Sequence, residues 1–102
     1  KELYYEKELL SWKEMGDQEI AESLEKTKKL LSGFEENNWN KEQLEEVLMK
    51  EAEAMGDRGR LLWPLRVALT GKKASAGPFE VASVLGKEKV LQRIEVAGAK
   101  LQ

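Results

Sequence analysis

Apolar residues recur along this chain at spacings of three and four, the repeat of one helix face, and nowhere in sustained alternation. In residues 4–15 (YYEKELLSWKEM), Tyr5, Leu9 and Trp12 share such a face and Gly16 ends the run, which predicts a first helix. Asp17 is placed to cap the next helix. There Ile20, Leu24 and Leu31 fall on one side, with Gly33 near the stop and Phe34 near the end. A polar loop over residues 35–40 follows.

The next start signal is fuller. Asn40 is a good N-cap, Gln43 stands at N3 as in a capping box, and Trp39 and Leu44 flank the cap as a hydrophobic staple. Leu44, Val47, Leu48 and Met55 form the inward stripe, with Ala52 filling a turn. Gly56 ends it where positive φ is cheap only for glycine. Trp39 reads as structural.

Residues 61–70 (LLWPLRVALT) are the densest apolar run. Pro64 predicts a helix start at or just before it, since proline has no N–H to give to a helix interior. Leu65, Ala68 and Leu69 then share a face, and Arg66 projects from another. Gly71 is the stop, and residues 72–77 (KKASAG) form a small-residue loop. Pro78 opens a short helix at N1 behind Gly77, with Phe79, Ala82 and Leu85 inward and Gly86 closing it. A last helix runs from residue 87 to about 98 on Val90, Leu91, Ile94 and Ala97. The expected fold is all-α, a compact cluster of five or six short helices around one core.

The chain has 102 residues, enough for one domain with a modest core. It contains no Cys and no His, which closes off thiol nucleophiles, disulfides, imidazole catalysis and the usual zinc ligands. No run of 18 apolar residues is present, so no membrane partner is expected. The first residue is Lys1 and no signal peptide opens the chain, as expected of an excised cytosolic piece.

Net charge is −2, but it divides unevenly. Residues 1–57 carry 16 acids and 8 bases; residues 58–102 carry 9 bases and 3 acids. Arg58, Arg60, Arg66, Lys72 and Lys73 follow one another with no acid between. Such a stretch fits an anionic partner, and equally fits two halves that attract each other or two solvated faces.

No catalytic constellation emerges. Gly71-Lys72 lacks the phosphate-loop pattern, because Arg66 stands where the first Gly belongs and Lys73 where Ser or Thr belongs. Gly86-Lys87 fails likewise, with Val81 upstream and Glu88 after. The paired carboxylates Glu35/Glu36 and Glu45/Glu46 sit at solvated positions, and Glu51/Glu53 lie on different helix faces without His support, so no metal site is expected.

What remains is the stretch 63–79. It joins one Arg on an apolar helix, two lysines at the helix end and a small-residue loop leading into a proline-started helix. Single-stranded RNA loops are read by such parts: a guanidinium for base edges, loop backbone for splayed bases, lysines for phosphate. A protein-interaction domain with Trp63 or Phe79 as anchors and Arg66 at the rim fits the same residues, as does a purely structural Arg. A small standalone enzyme fits worst.

The run LLWPLRVALTGKKASAGPFEVASVLGKEKVLQRIE (residues 61–95) closely resembles the C-terminal end of bacterial-type glutamyl-tRNA synthetases, class I aminoacyl-tRNA synthetases. The resemblance rests on Pro64-Leu65-Arg66, Ala68-Leu69-Thr70-Gly71, the loop from Ser75 to Phe79-Glu80, and Leu85-Gly86-Lys87-Glu88. Glu8-Leu9-Leu10, Trp12-Lys13 and the capped helix from Asn40 extend it over nearly the whole chain. The catalytic HIGH-like and KMSKS-like motifs of that family are absent.

The resemblance implies that residues 1–102 are the C-terminal anticodon-binding subdomain, with residues 1–15 a connecting helix from a preceding subdomain and the catalytic domain missing. It implies binding to the anticodon loop of glutamate tRNA, in the cytoplasm, by a piece that is not itself an enzyme. The parent would be an ATP-dependent glutamate–tRNA ligase, with ATP and Mg held by its catalytic domain and no cofactor here. Arg66 should contact the first anticodon base, and Ser75, Ala76 and Pro78 should line the path of the first two bases. Ala76 departs from the family's frequent proline. Lys72 and Lys73 are assigned to phosphate contact on physical grounds alone.

Overall fold

The most apolar stretch of the sequence becomes the hub of the molecule. The computed structural model describes residues 3–73 and 76–102. Within them lie five α-helices: α1 (Asp17–Ser32), α2 (Lys41–Ala54), α3 (Gly59–Thr70), α4 (Pro78–Leu85) and α5 (Lys87–Ala99). Two single 3-10 turns, Lys7–Leu10 and Glu36–Asn38, complete the set, and no strand occurs among the described residues. The all-α expectation holds. Helix α3 packs against all four other helices, with α1 and α5 paired and α2 and α4 paired around it. Leu61, Leu65, Val67, Ala68 and Leu69 are fully or almost fully buried there.

Residues 4–15 are not the helix that their spacing predicts. They form an arm with one 3-10 turn, and it runs antiparallel to α3. Trp12 lies against Gly59 at the start of α3, and Tyr5 against Gly71 at its end. Those glycines are separated by roughly 18 Å of helix axis. Seven residues of α-helix advance only ~10 Å, whereas an extended chain reaches ~23 Å. Only a mostly extended arm touches both ends. Lys13, at φ 57, turns it back toward α1, and the Ser11 hydroxyl donates to the Met15 carbonyl at 2.8 Å.

Pro64 also departs from expectation. It lies inside α3, which starts five residues earlier at Gly59. A proline there deprives the Arg60 carbonyl of its helical donor. The buried Ser23 hydroxyl of α1 donates to that carbonyl instead, at 2.7 Å. A hydrogen bond from another helix thus compensates for what the sequence rule counts as forbidden.

Other local signals hold with small changes. Asn40 caps α2 by accepting from the Gln43 N–H at 2.9 Å, while its own N–H goes to the Asn38 carbonyl rather than to Gln43. Gly16, not Asp17, is the N-cap of α1, and Glu19 reaches back to its N–H at 2.9 Å. Leu44, Leu48 and Ala52 are buried, while Val47, Met55 and Leu91 are half-buried. Trp39 packs edge-on to Phe34 and donates to the Ala82 carbonyl at 2.9 Å, which ties α2 to α4. Gly56, Gly71 and Gly86 all have positive φ.

Candidate nucleic-acid interface

The two ends of α3 present the residues of interest. At its start, Trp12, Lys13, Glu53, Asp57, Arg58 and Trp63 surround an open groove of about 830 Å³, into which Arg66 also faces. The floor is a tryptophan pair, Trp12 and Trp63, with ring centroids 5.5 Å apart and planes tilted by 40°. Trp63 donates its indole N–H to the Leu9 carbonyl at 2.8 Å, so the arm fixes its ring. Trp12 donates to Asp57 Oδ2 at 3.2 Å.

Asp57 organises this end. Its Oδ2 also accepts from Lys13 Nζ at 2.9 Å, and its Oδ1 accepts from the Gly59 N–H at 3.1 Å. The Lys13 ammonium, then the Trp12 N–H and, more weakly, the Gly59 amide, hold the carboxyl below its ordinary value, in part opposed by burial. Gly59 is required by close approach: a Cβ there would lie 2.1 Å from Trp12 Cε2. The result is a fixed aromatic floor with Lys13, Arg58 and Arg66 around it. Planar donors beside aromatic rings suit an unstacked base, which offers both a face and an edge.

At the far end, the Thr70 hydroxyl donates to the Arg66 carbonyl at 2.8 Å and accepts from the Lys72 N–H at 3.1 Å. Gly71, at φ 70, sends its N–H to the Val67 carbonyl at 2.7 Å. Arg93 of α5 donates to the Leu69 carbonyl, a further cap on α3. Lys72 and Lys73 emerge beyond this knot and are exposed.

Of the sequence-predicted site residues, Arg66 is half-buried in the groove, and Lys72, Lys73 and Ala76 are exposed along the α3–α4 connection. Pro78 is buried in the first turn of α4, so its ring sets the loop's direction. Ser75 lies outside the described residues. Trp63 and Phe79, the anchors a protein-docking surface would use, are both packed against the core. The contributions of Trp12, Lys13 and Arg58 to the groove escape sequence reasoning. Arg58 shows in the sequence only as part of the basic run, Trp12 and Lys13 only as part of the family pattern, and the groove itself only through Gly59, a glycine that no cap explains.

Several motif residues turn out to be joints. Lys87 donates to the Ser32 carbonyl at 3.0 Å and to the Phe34 carbonyl at 2.5 Å, capping α1. Arg60 pairs with Glu19 at 3.1 Å. Part of the positive charge of the second half is therefore spent on holding the fold. Among the described residues, no group of acidic side chains could hold a metal ion, and no helix is long and apolar enough to cross a membrane.

A family model described as an anticodon binding domain matches residues 1–98. A glutamate–tRNA ligase of Clostridium tetani (strain Massachusetts / E88) is 41% identical over 85 residues, covering 79% of this chain and 17% of the relative. One of Clostridium botulinum (strain Hall / ATCC 3502 / NCTC 13319 / Type A) is 36% identical over 105 residues, covering 99% of this chain and 20% of the relative. One of Clostridium kluyveri is 38% identical over 86 residues, covering 81% and 18%. The chain spans a fifth or less of the length of these curated relatives. No solved structure matches it.

Proposed function

This chain belongs to the anticodon-binding domain family, and from that premise we propose that it reads the anticodon loop of glutamate tRNA within a glutamate–tRNA ligase. The observation that carries the proposal is the groove at the start of α3, where Arg66 stands beside the Trp12–Trp63 floor. An anticodon base splayed from its loop rests against that floor and accepts donors from the Arg66 guanidinium. Ala76 and Pro78, with Ser75 by resemblance alone, are assigned to the neighbouring base, and Lys72 and Lys73 neutralise phosphate.

Ligation would take place elsewhere. The relatives, glutamate–tRNA ligases about five times as long, leave ample chain for a catalytic region that binds ATP and Mg. In that arrangement residues 1–102 form a non-catalytic, C-terminal subdomain of a cytoplasmic enzyme, and the arm joins it to what precedes.

An NMR shift titration with a glutamate-anticodon stem-loop, beside the same stem-loop with its anticodon scrambled, tests this. The expected result is shifts centred on Trp12, Trp63, Arg66 and residues 72–79, larger for the cognate loop. Equal and diffuse shifts for both RNAs would refute base reading and leave generic electrostatic attraction.

A further inference from the structure

A second cleft opens at the other end of the arm, between Tyr4–Tyr5 and α5. Leu3, Tyr4, Tyr5, Ala68, Lys89, Gln92, Arg93, Val96 and Lys100 enclose about 230 Å³. Three of these are cations and none is a carboxylate. We infer that this cleft is a second RNA contact, one that grips backbone phosphates without reading sequence. The inference rests on the reading of this chain as an RNA-binding domain.

The helix repeat separates the charges of α5. Lys89, Gln92, Arg93, Val96 and Lys100 follow spacings of three and four and share one face. Val90, Ile94 and Ala97 form the buried face. Glu88 and Glu95 share a third side, and Glu95 is occupied by Lys28 at 3.0 Å. The basic face runs for roughly 16 Å, room for more than one phosphate.

Position supports the same reading. Leu3 and Tyr5 lie against Gly71, so the cleft adjoins the end of α3 from which Lys72 and Lys73 emerge. Arg93, which donates to the Leu69 carbonyl, sets the α5 face beside that same end of α3. Lys100 sits 4.5 Å above the centroid of the Tyr5 ring, which fixes its charge at the cleft. A protein occupant would find apolar surface at Tyr4, 90% exposed, and Val96, 50% exposed, but it would also have to bring acids for three cations. A nucleic-acid backbone brings that charge in any sequence.

The test is salt-dependent binding of the 102-residue chain to the cognate and scrambled stem-loops. In Lys89→Gln/Lys100→Gln, the slope of log affinity against log salt should fall by about 2, and affinity by roughly tenfold or more at ~0.1 M salt. Both RNAs should lose equally, with any cognate preference kept. Lys89→Glu alone, at an exposed position, should act in the same direction with the helical circular dichroism unchanged. Unchanged affinity and slope in both variants overturn the proposal and leave the face to another segment of protein. A slope that falls in a protein showing no cognate preference upholds this surface and refutes the anticodon reading instead. In a parallel titration, inorganic phosphate that moves the Lys89 and Lys100 resonances as strongly as RNA overturns the RNA assignment in favour of a simple anion site.

Discussion

The two ends of α3 are held by different physics. At the start, Gly59 packs against Trp12, and Asp57 and Trp63 are bound to Trp12, Lys13 and Leu9, partners 44 to 54 residues away in sequence. At the end, Thr70, Gly71 and Lys72 are bound mostly to their own neighbours, over two to four residues. The first end is built by tertiary contact and presents Arg66 on a fixed floor. The second is built by local turn chemistry and presents lysines on a short connection. Base reading needs placement, whereas phosphate attraction tolerates its absence.

Substituting each end's glycine sharpens the contrast most. Gly59→Ala drives a methyl group into the Trp12 indole, which is pinned by Asp57 and Trp63. The expected cost is about 2–3 kcal/mol, or a fall in Tm on the order of 10 °C, read by thermal circular dichroism. Gly71→Ala meets Tyr5 at 3.3 Å and keeps an unfavourable φ of 70. Its cost should be nearer 1 kcal/mol. Equal losses at the two glycines would mean that the tertiary end is no more constrained than the local one.

The two ends should also separate in binding. Arg66→Ala should cost ~1–3 kcal/mol for the cognate stem-loop and little for the scrambled one, measured by fluorescence anisotropy. Lys72→Gln/Lys73→Gln should weaken both RNAs alike and lower the salt slope by about 2. If Arg66→Ala weakens both RNAs equally, α3 carries no base-reading residue and its two ends differ only in stability.

This division also explains what was legible in the sequence. Signals confined to a few residues could be read: the Asn40 cap, the Pro78 start, and the stops at Gly56, Gly71 and Gly86. Arg66 was legible through its departure from an apolar helix and through the family pattern around it. The arm was not, because Tyr5, Leu9 and Trp12 fit one helix face as well as they fit contacts strung along α3, and only the length of α3 decides between them. Pro64 was misplaced for the same reason. The rule that bars proline from a helix interior is local, and its exception depends on a serine 41 positions upstream.

That exception yields a prediction of intermediate size. Ser23→Ala leaves the Arg60 carbonyl without a donor in a buried setting, at a cost of about 1–3 kcal/mol. Pro64→Ala restores an N–H four residues after Arg60. In that background Ser23→Ala should cost much less, so the double-mutant cycle should show coupling of about 1 kcal/mol. Additive losses in thermal or urea unfolding would mean that Ser23 matters through packing alone.

The smallest expected effect concerns pH, and it belongs to the tertiary end alone. Lys13, then Trp12 and Gly59, hold the Asp57 carboxyl below its ordinary value of 3.8. A carboxylate held low in the fold binds protons more weakly there than in the unfolded chain. Its stabilisation is therefore complete above that ordinary value and is lost as pH falls through it toward the folded value. Glu19, lowered first by the Gly16 N–H and then by Arg60, loses its contribution in a neighbouring window and supplies a background slope at α1. Asp57→Asn keeps an oxygen that can accept from Gly59 or Trp12, but it abolishes the charge that Lys13 answers. Between about pH 6 and about pH 3, Tm should fall less steeply in this variant than in the parent chain. Because Lys13 is exposed, the difference between the two curves should shrink at ~1 M salt. Parallel curves at low salt would show that Asp57 acts only as a neutral acceptor, and that the tertiary end of α3 is fixed by the tryptophans without help from charge.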